Sequence, residues 1–147
     1  MNNIPYQLRD GLYLENTNKL LPWYKSLYQI TKNGGQPKHG GGRTVELYWK
    51  NEKIFNGMQV SIKAVERDLG LFFIDIKHKK KFSSTKDEFE NTLIILTKKF
   101  GSPDYNGVKD SYPWSRWEWG NIYVNIQIVE RFVDYVSLTI SNSKKID

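Results

Sequence analysis

Two histidines, His39 in "QPKHGGGR" (36–43) and His78 in "KHKKK" (77–81), are the side chains best suited to proton transfer near neutral pH. Neither has the company that catalysis needs. No serine, carboxylate or second histidine stands at a motif spacing from either one. The backbone N–H groups of "HGGG" have no G-x-S-x-G nucleophile turn to serve. "GGQPKHGGGR" also lacks the GK[ST] ending of a phosphate-binding loop. There is no cysteine, which removes thiol nucleophiles, zinc–thiolate ligand sets and disulfides, and fits a reducing compartment. The expectation is a protein that is not an enzyme, with no catalytic residues, no metal and no cofactor.

The chemistry of contact is better supplied. "SYPWSRWEWGN" (111–121) places Trp114, Trp117 and Trp119 beside Arg116 and Glu118, and nine of the 21 aromatic residues are tyrosine. The net charge is +6, but unevenly spread: residues 1–81 hold 14 Lys/Arg against 7 Asp/Glu (+7), and 82–147 hold 8 against 9 (−1). Much of the excess lies in Lys77, Lys79, Lys80 and Lys81. That run reads as a solvated strand end, or as a basic patch for phosphate or an acidic protein.

The elements that must position these groups recur along the chain. "MQVSIKAVER" (58–67) lies over "IYVNIQIVER" (122–131) at a spacing of 64, and Phe72, Ile74 and Ile76 fall on Val136, Leu138 and Ile140. "ELYWKN" (46–51) matches "RWEWGN" (116–121), with Trp49 over Trp119 and Leu47 over Trp117; "GQP" (35–37) matches "GSP" (101–103). Each half reads as a helix, a Gly-x-Pro stop and three strands. The first helix is expected from Pro22 to about Asn33. The second opens at Ser84 or Thr85, carries Phe89, Leu93, Leu96 and Phe100 on one stripe, and ends at Gly101. Residues 36–43 and 103–113 read as loops. The fold expected is α+β: one domain, 1–147, built of two helix-plus-three-strand repeats (about 12–81 and 82–142). Its antiparallel sheet carries the helices packed on one face. A chain of this length buries about 70% of its unfolded surface.

Strict alternation decides which rings are core. Ile122, Val124, Ile126 and Ile128 share one face, with Trp117 and Trp119, under the helices. The other face displays Tyr48, Phe73, Tyr123 and Tyr135 among polar residues, Arg116 included. With Trp114, just outside its strand, these six residues are the expected partner-binding set. Arg67 and Arg131 each follow a glutamate, and read either as turn-forming ion pairs or as a site of two related arginines. "MNNIPYQLRDG" lacks the charged start and apolar run of a secretory signal, and no apolar stretch nears the roughly 20 residues that span a bilayer. A cytoplasmic protein without a membrane partner is expected.

The tandem plan, with its "G-x-P … W-x-(G/N)" punctuation over most of the chain, resembles the architecture of the β-lactamase inhibitory protein family. That family is secreted and disulfide-bonded, so the resemblance implies the layout and not the β-lactamase target. The series "LLPWYKSL … YWKNEKIFNG … FGSPDY … WEWGN … ERFVDYVSLTI" is similar to the immunity proteins of bacterial toxin systems. It implies a non-catalytic inhibitor of a cognate toxin, bound through the aromatic sheet face. Inhibitors of nucleases are usually acidic; this basic chain implies a toxin that is acidic at the contact, or not a nuclease. The alternatives are a single-stranded nucleic-acid-binding domain, its rings stacking bases and its 77–81 run holding phosphates, and a structural adaptor.

Overall fold

The computed structural model describes residues 3–143. Local signals set its longest helix, α3 (Thr85–Phe100). Ser84 caps it by accepting from the Asp87 N–H, Asp87 and Glu88 stand in the first turn, Lys98 and Lys99 in the last, and Gly101 ends it at φ 82°. Phe89, Thr92 and Leu96 are its buried residues, and the Thr92 hydroxyl donates to the Glu88 carbonyl.

The first expected helix is shorter than its pattern. Pro22 closes a strand, Tyr24 takes a positive φ, and the chain turns helical only at α2 (Leu27–Ile30). Ser26 and Gln29 cap it reciprocally, and a 3-10 turn over Thr31–Asn33 runs on to Gly34. Before it, α1 (Tyr6–Arg9) leads into β1 (Gly11–Leu14), which pairs with β2 (Lys19–Pro22) in a small two-stranded sheet.

Eight strands form the main sheet: β3 (Gln36–Gly40), β4 (Arg43–Ile54), β5 (Met58–Val65), β6 (Leu71–Ile76), β7 (Tyr105–Lys109), β8 (Tyr112–Trp119), β9 (Ile122–Arg131) and β10 (Val133–Asn142). Their order is β3-β4-β5-β6-β10-β9-β8-β7, every neighbour antiparallel. The protein is therefore α+β with an antiparallel sheet and few helices. Two strands, β3 and β7, occupy segments expected to be loops, so the six-strand expectation falls short by two. They are the sheet edges. An edge strand pairs on one side only, tolerates Pro37, and needs no apolar face to announce it. Gly41–Gly42 and Asp110–Ser111, all at positive φ, make the two-residue turns into β4 and β8.

One face of the sheet is the core: Leu47, Val60, Ile62, Phe72, Val124, Ile126 and Ile140 are buried there with Trp49, Trp117 and Trp119. Indole N–H groups are satisfied by backbone oxygens, Trp117 on Gly101 (2.8 Å) and Trp49 on Asn33 (3.2 Å). The Phe100 ring meets both Trp117 and Trp119. The two tryptophan correspondences do not survive the register. Trp49 pairs with Ile62, but Trp119 pairs with Ile122; Leu47 pairs with Ala64, but Trp117 with Val124. At a spacing of 64 Ile62 falls on Ile126, which pairs with Ser115, four residues before Trp119; the one-residue bulge in β4 between Trp49 and Glu52 is too small to make that difference. Among the described residues, no helix is long and apolar enough to cross a membrane.

Candidate protein interface

The pleat sends every second residue to the uncovered face. One row of cross-strand partners runs over it from β4 to β8: Tyr48, Lys63, Phe73, Thr139, Asn125 and Arg116. Towards its β4–β6 side the face is concave. A trough of about 600 Å³ there is lined by Tyr48, Phe73 and Tyr135 together with Lys63, Arg67 and Arg131; Glu46 and Asp75 also face it. Tyr48 is 41% exposed and Tyr135 42%, so both rings offer apolar area to solvent. Lys63 Nζ stands 5.2 Å from the centre of the Phe73 ring, at the range of a cation–π contact.

The other expected residues lie on the same face but form separate groups. Arg116 lies over Tyr123, 4.3 Å from the ring centre, donates from Nε to Asn125 Oδ1 at 3.1 Å, and faces Glu118 at 3.6 Å. These contacts hold the guanidinium against its own sheet. Trp114 rests flat on β7: a Cβ on Gly107 would come within 2.6 Å of the indole. It lines a second hollow, of about 330 Å³, with Tyr112, Gln127 and Val129. The Tyr112 hydroxyl donates to the Asp134 carboxylate at 3.1 Å. That hydrogen bond, then burial and the neighbouring charges of Asp134 and Glu130, raises the phenol above its ordinary value.

The sequence left the role of Arg67 and Arg131 open and gave no sign of Phe132. Arg67 and Arg131 both line the trough, and Glu66 is not the partner of Arg67: it binds Arg43 at 2.8 Å, leaving Arg67 beside Asp68 at 3.6 Å. Phe132 forms the turn between β9 and β10 at φ 65°, fully exposed, next to Arg131. Positive φ in a bulky residue has no sequence signal. The basic run stands apart. Lys77, Lys79 and Lys80 line a third hollow with α3, Lys81 does not, and that hollow shares no residue with the trough. The aromatic rings of the trough and the lysines of the run thus line different hollows. No group of three His, Cys, Asp or Glu among the described residues is placed to hold a metal. No family model, curated protein or solved structure matches the chain.

Proposed function

We propose that this chain is a non-catalytic protein-binding module of the immunity or inhibitor type, neutralising a cognate bacterial toxin through the open face of its sheet. The trough carries the reading. Tyr48, Phe73 and Tyr135 ring a concavity walled by Arg67 and Arg131, and Tyr and Arg supply large contact area at protein interfaces. A merely solvated face has no use for three aromatic rings gathered in one hollow. Phe132, fully exposed in the turn after Arg131, is a further ring on the surface.

The finer architecture is part of the same proposal: two repeats, about 12–81 and 82–142, joined at β6 and β10, with helices on the covered face. The register supports it. Val60↔Ile76 and Ile62↔Ile74 recur 64 residues on as Val124↔Ile140 and Ile126↔Leu138, and Ile74 pairs with Leu138, its own counterpart. The Phe100–Trp117 ring contact, and the hydrogen bond of the Trp49 indole to Asn33 in the 3-10 turn after α2, support the placing of both helical segments on that face. On this reading Arg67 and Arg131, also 64 apart, face each other across the junction.

The test is binding to a candidate toxin domain, sought first in the genes that flank this one. Tyr48→Ala and Tyr135→Ala should each lose about 2 kcal/mol or more of affinity, roughly thirtyfold in Kd, with melting temperature nearly unchanged. Full affinity in the double variant would move the interface off the trough.

A further inference from the structure

The basic run has a setting of its own. Lys77, Lys79 and Lys80, beyond the end of β6, line a hollow of about 470 Å³ with Lys99 from the last turn of α3. Asn91, Ile95 and Lys99 are four residues apart, one stripe of the helix. Met58, Ile76, Phe82 and Ile95 give the hollow apolar surface, and Asn56, Gln59 and Asn91 add amides. No Asp or Glu is among its lining residues. The carboxylates at its margin are engaged already: Glu88 with His78 at 3.4 Å, and Glu15 with the backbone N–H groups of Asn56 and Gly57.

The lysines, by contrast, have no anionic partner here among the described residues: Lys80 Nζ stands 5.8 Å from the centre of the Phe82 ring, and the others bond to neutral oxygens where they bond at all. Lys99 Nζ donates to the Phe55 carbonyl and Lys77 Nζ to Asn51 Oδ1, and an ammonium has three hydrogens, so each keeps donors to spare. Four like charges around one concavity repel one another and focus a positive potential into it. A multiply charged anion relieves that repulsion; the apolar lining asks for a ring as well.

We propose that this hollow binds a phosphorylated small molecule bearing a planar apolar ring, of the nucleoside polyphosphate class. Lys77, Lys79, Lys80 and Lys99 take the phosphates, and Phe82, Ile95 and Met58 take the ring. Lysines are point charges on flexible stems, suited to a string of phosphates rather than to one planar carboxylate. The volume falls in the range of small-molecule sites, about 300–1,000 Å³. The proposal does not rest on the protein-binding reading.

The experiment is an amide NMR titration of the full chain with ATP, tripolyphosphate and a hexaglutamate peptide at low salt, with affinities by calorimetry. ATP is expected to shift amides of residues 77–82 and 91–99, to leave Tyr48 and Tyr135 in place, and to bind more tightly than tripolyphosphate. Lys79 and Lys80 are exposed, so the Lys79→Gln/Lys80→Gln variant keeps its fold. It should weaken ATP by a factor of about ten or more. No shift at millimolar ATP, or full ATP affinity in the variant, overturns the site. Equal binding of ATP and tripolyphosphate overturns the ring. Preference for hexaglutamate overturns the ligand class in favour of an acidic protein segment.

Discussion

Tyr48 and Trp49 are neighbours in β4, yet one ring is 41% exposed and the other 3%. Arg116 and Trp117 repeat the contrast in β8, where Trp117 is 1% exposed and Arg116 lies on the open face over Tyr123. The two faces of this sheet draw on the same residue types. What separates them is the pleat: one step along a strand moves a side chain from the core to water. An aromatic count therefore says nothing about function until each ring has a face. The covered face is closed off from water, with the Trp49 and Trp117 indole N–H groups bonded to backbone. The open face keeps rings, guanidinium groups and a trough in contact with solvent.

Emptying the covered face should cost most. Trp117→Ala is expected to destabilise by about 3–5 kcal/mol, since it removes a buried ring and leaves the Gly101 carbonyl at the end of α3 without its partner. Chemical denaturation measures it. A loss under about 1 kcal/mol would put that ring in water and reverse the assignment of faces.

Two glycines sharpen the contrast at smaller cost. A Cβ on Gly35 would come within 2.8 Å of the Trp49 indole, and one on Gly107 within 2.6 Å of the Trp114 indole. Trp49 is buried and tied to the Asn33 carbonyl; Trp114 is only half-buried. Gly35→Ala should therefore cost about 1–3 kcal/mol, the usual penalty of overpacking, and Gly107→Ala less, because Trp114 has room to swing outward. The reverse order in melting temperature would mean that Trp114, not Trp49, is the fixed ring.

What the sequence could tell follows from the same geometry. β5 and β9 were legible because one face is buried and the other is not, which writes apolar residues at every second position. The edges β3 and β7 were not, because a strand paired on one side needs only backbone. α2 was overdrawn because Trp23, Leu27 and Ile30 keep helical spacing and are all buried, although the chain is helical only from Leu27. At a spacing of 64 the alternation of β5 lies over that of β9, but the tryptophan match does not follow the strand register, since Trp49 pairs with Ile62 and Trp119 with Ile122. For the site, alternation placed Tyr48, Phe73 and Tyr135 on one face. It could not tell that these three meet Arg67 and Arg131 while Arg116, Tyr123 and Trp114 stand apart, because that depends on the strand order β6-β10 at mid-sheet. Lys99 joins the 77–80 lysines only through the packing of α3.

On the open face, truncation should barely touch the fold. Tyr48→Ala and Tyr135→Ala are each expected to cost about 1 kcal/mol or less in stability, the scale of a cross-strand pair. A loss comparable with Trp117→Ala would show that these rings hold the sheet together rather than face a partner.

The smallest effect belongs to a polar intruder near the covered face. Glu52 sits at the β4 bulge with Oε2 buried and without a hydrogen-bond partner among the described residues. Burial raises its carboxyl above the ordinary 4.5, and the charge of Lys19 offsets only part of that rise. The sign is then set. With the folded pKa above the unfolded one, the folded state holds the proton more tightly, so stability is full below about pH 4.5 and falls as pH rises through the folded value. At neutral pH the ionised carboxylate weakens the fold. Glu52→Gln, close in shape and uncharged, should melt slightly higher than the parent at pH 7, and the gain should vanish below pH 4.5. Melting curves at both pH values decide it. A gain that persists at low pH would trace the effect to packing at the bulge, and a loss at pH 7 would mean that the carboxylate has a stabilising contact with Lys19 stronger than the cost of its burial.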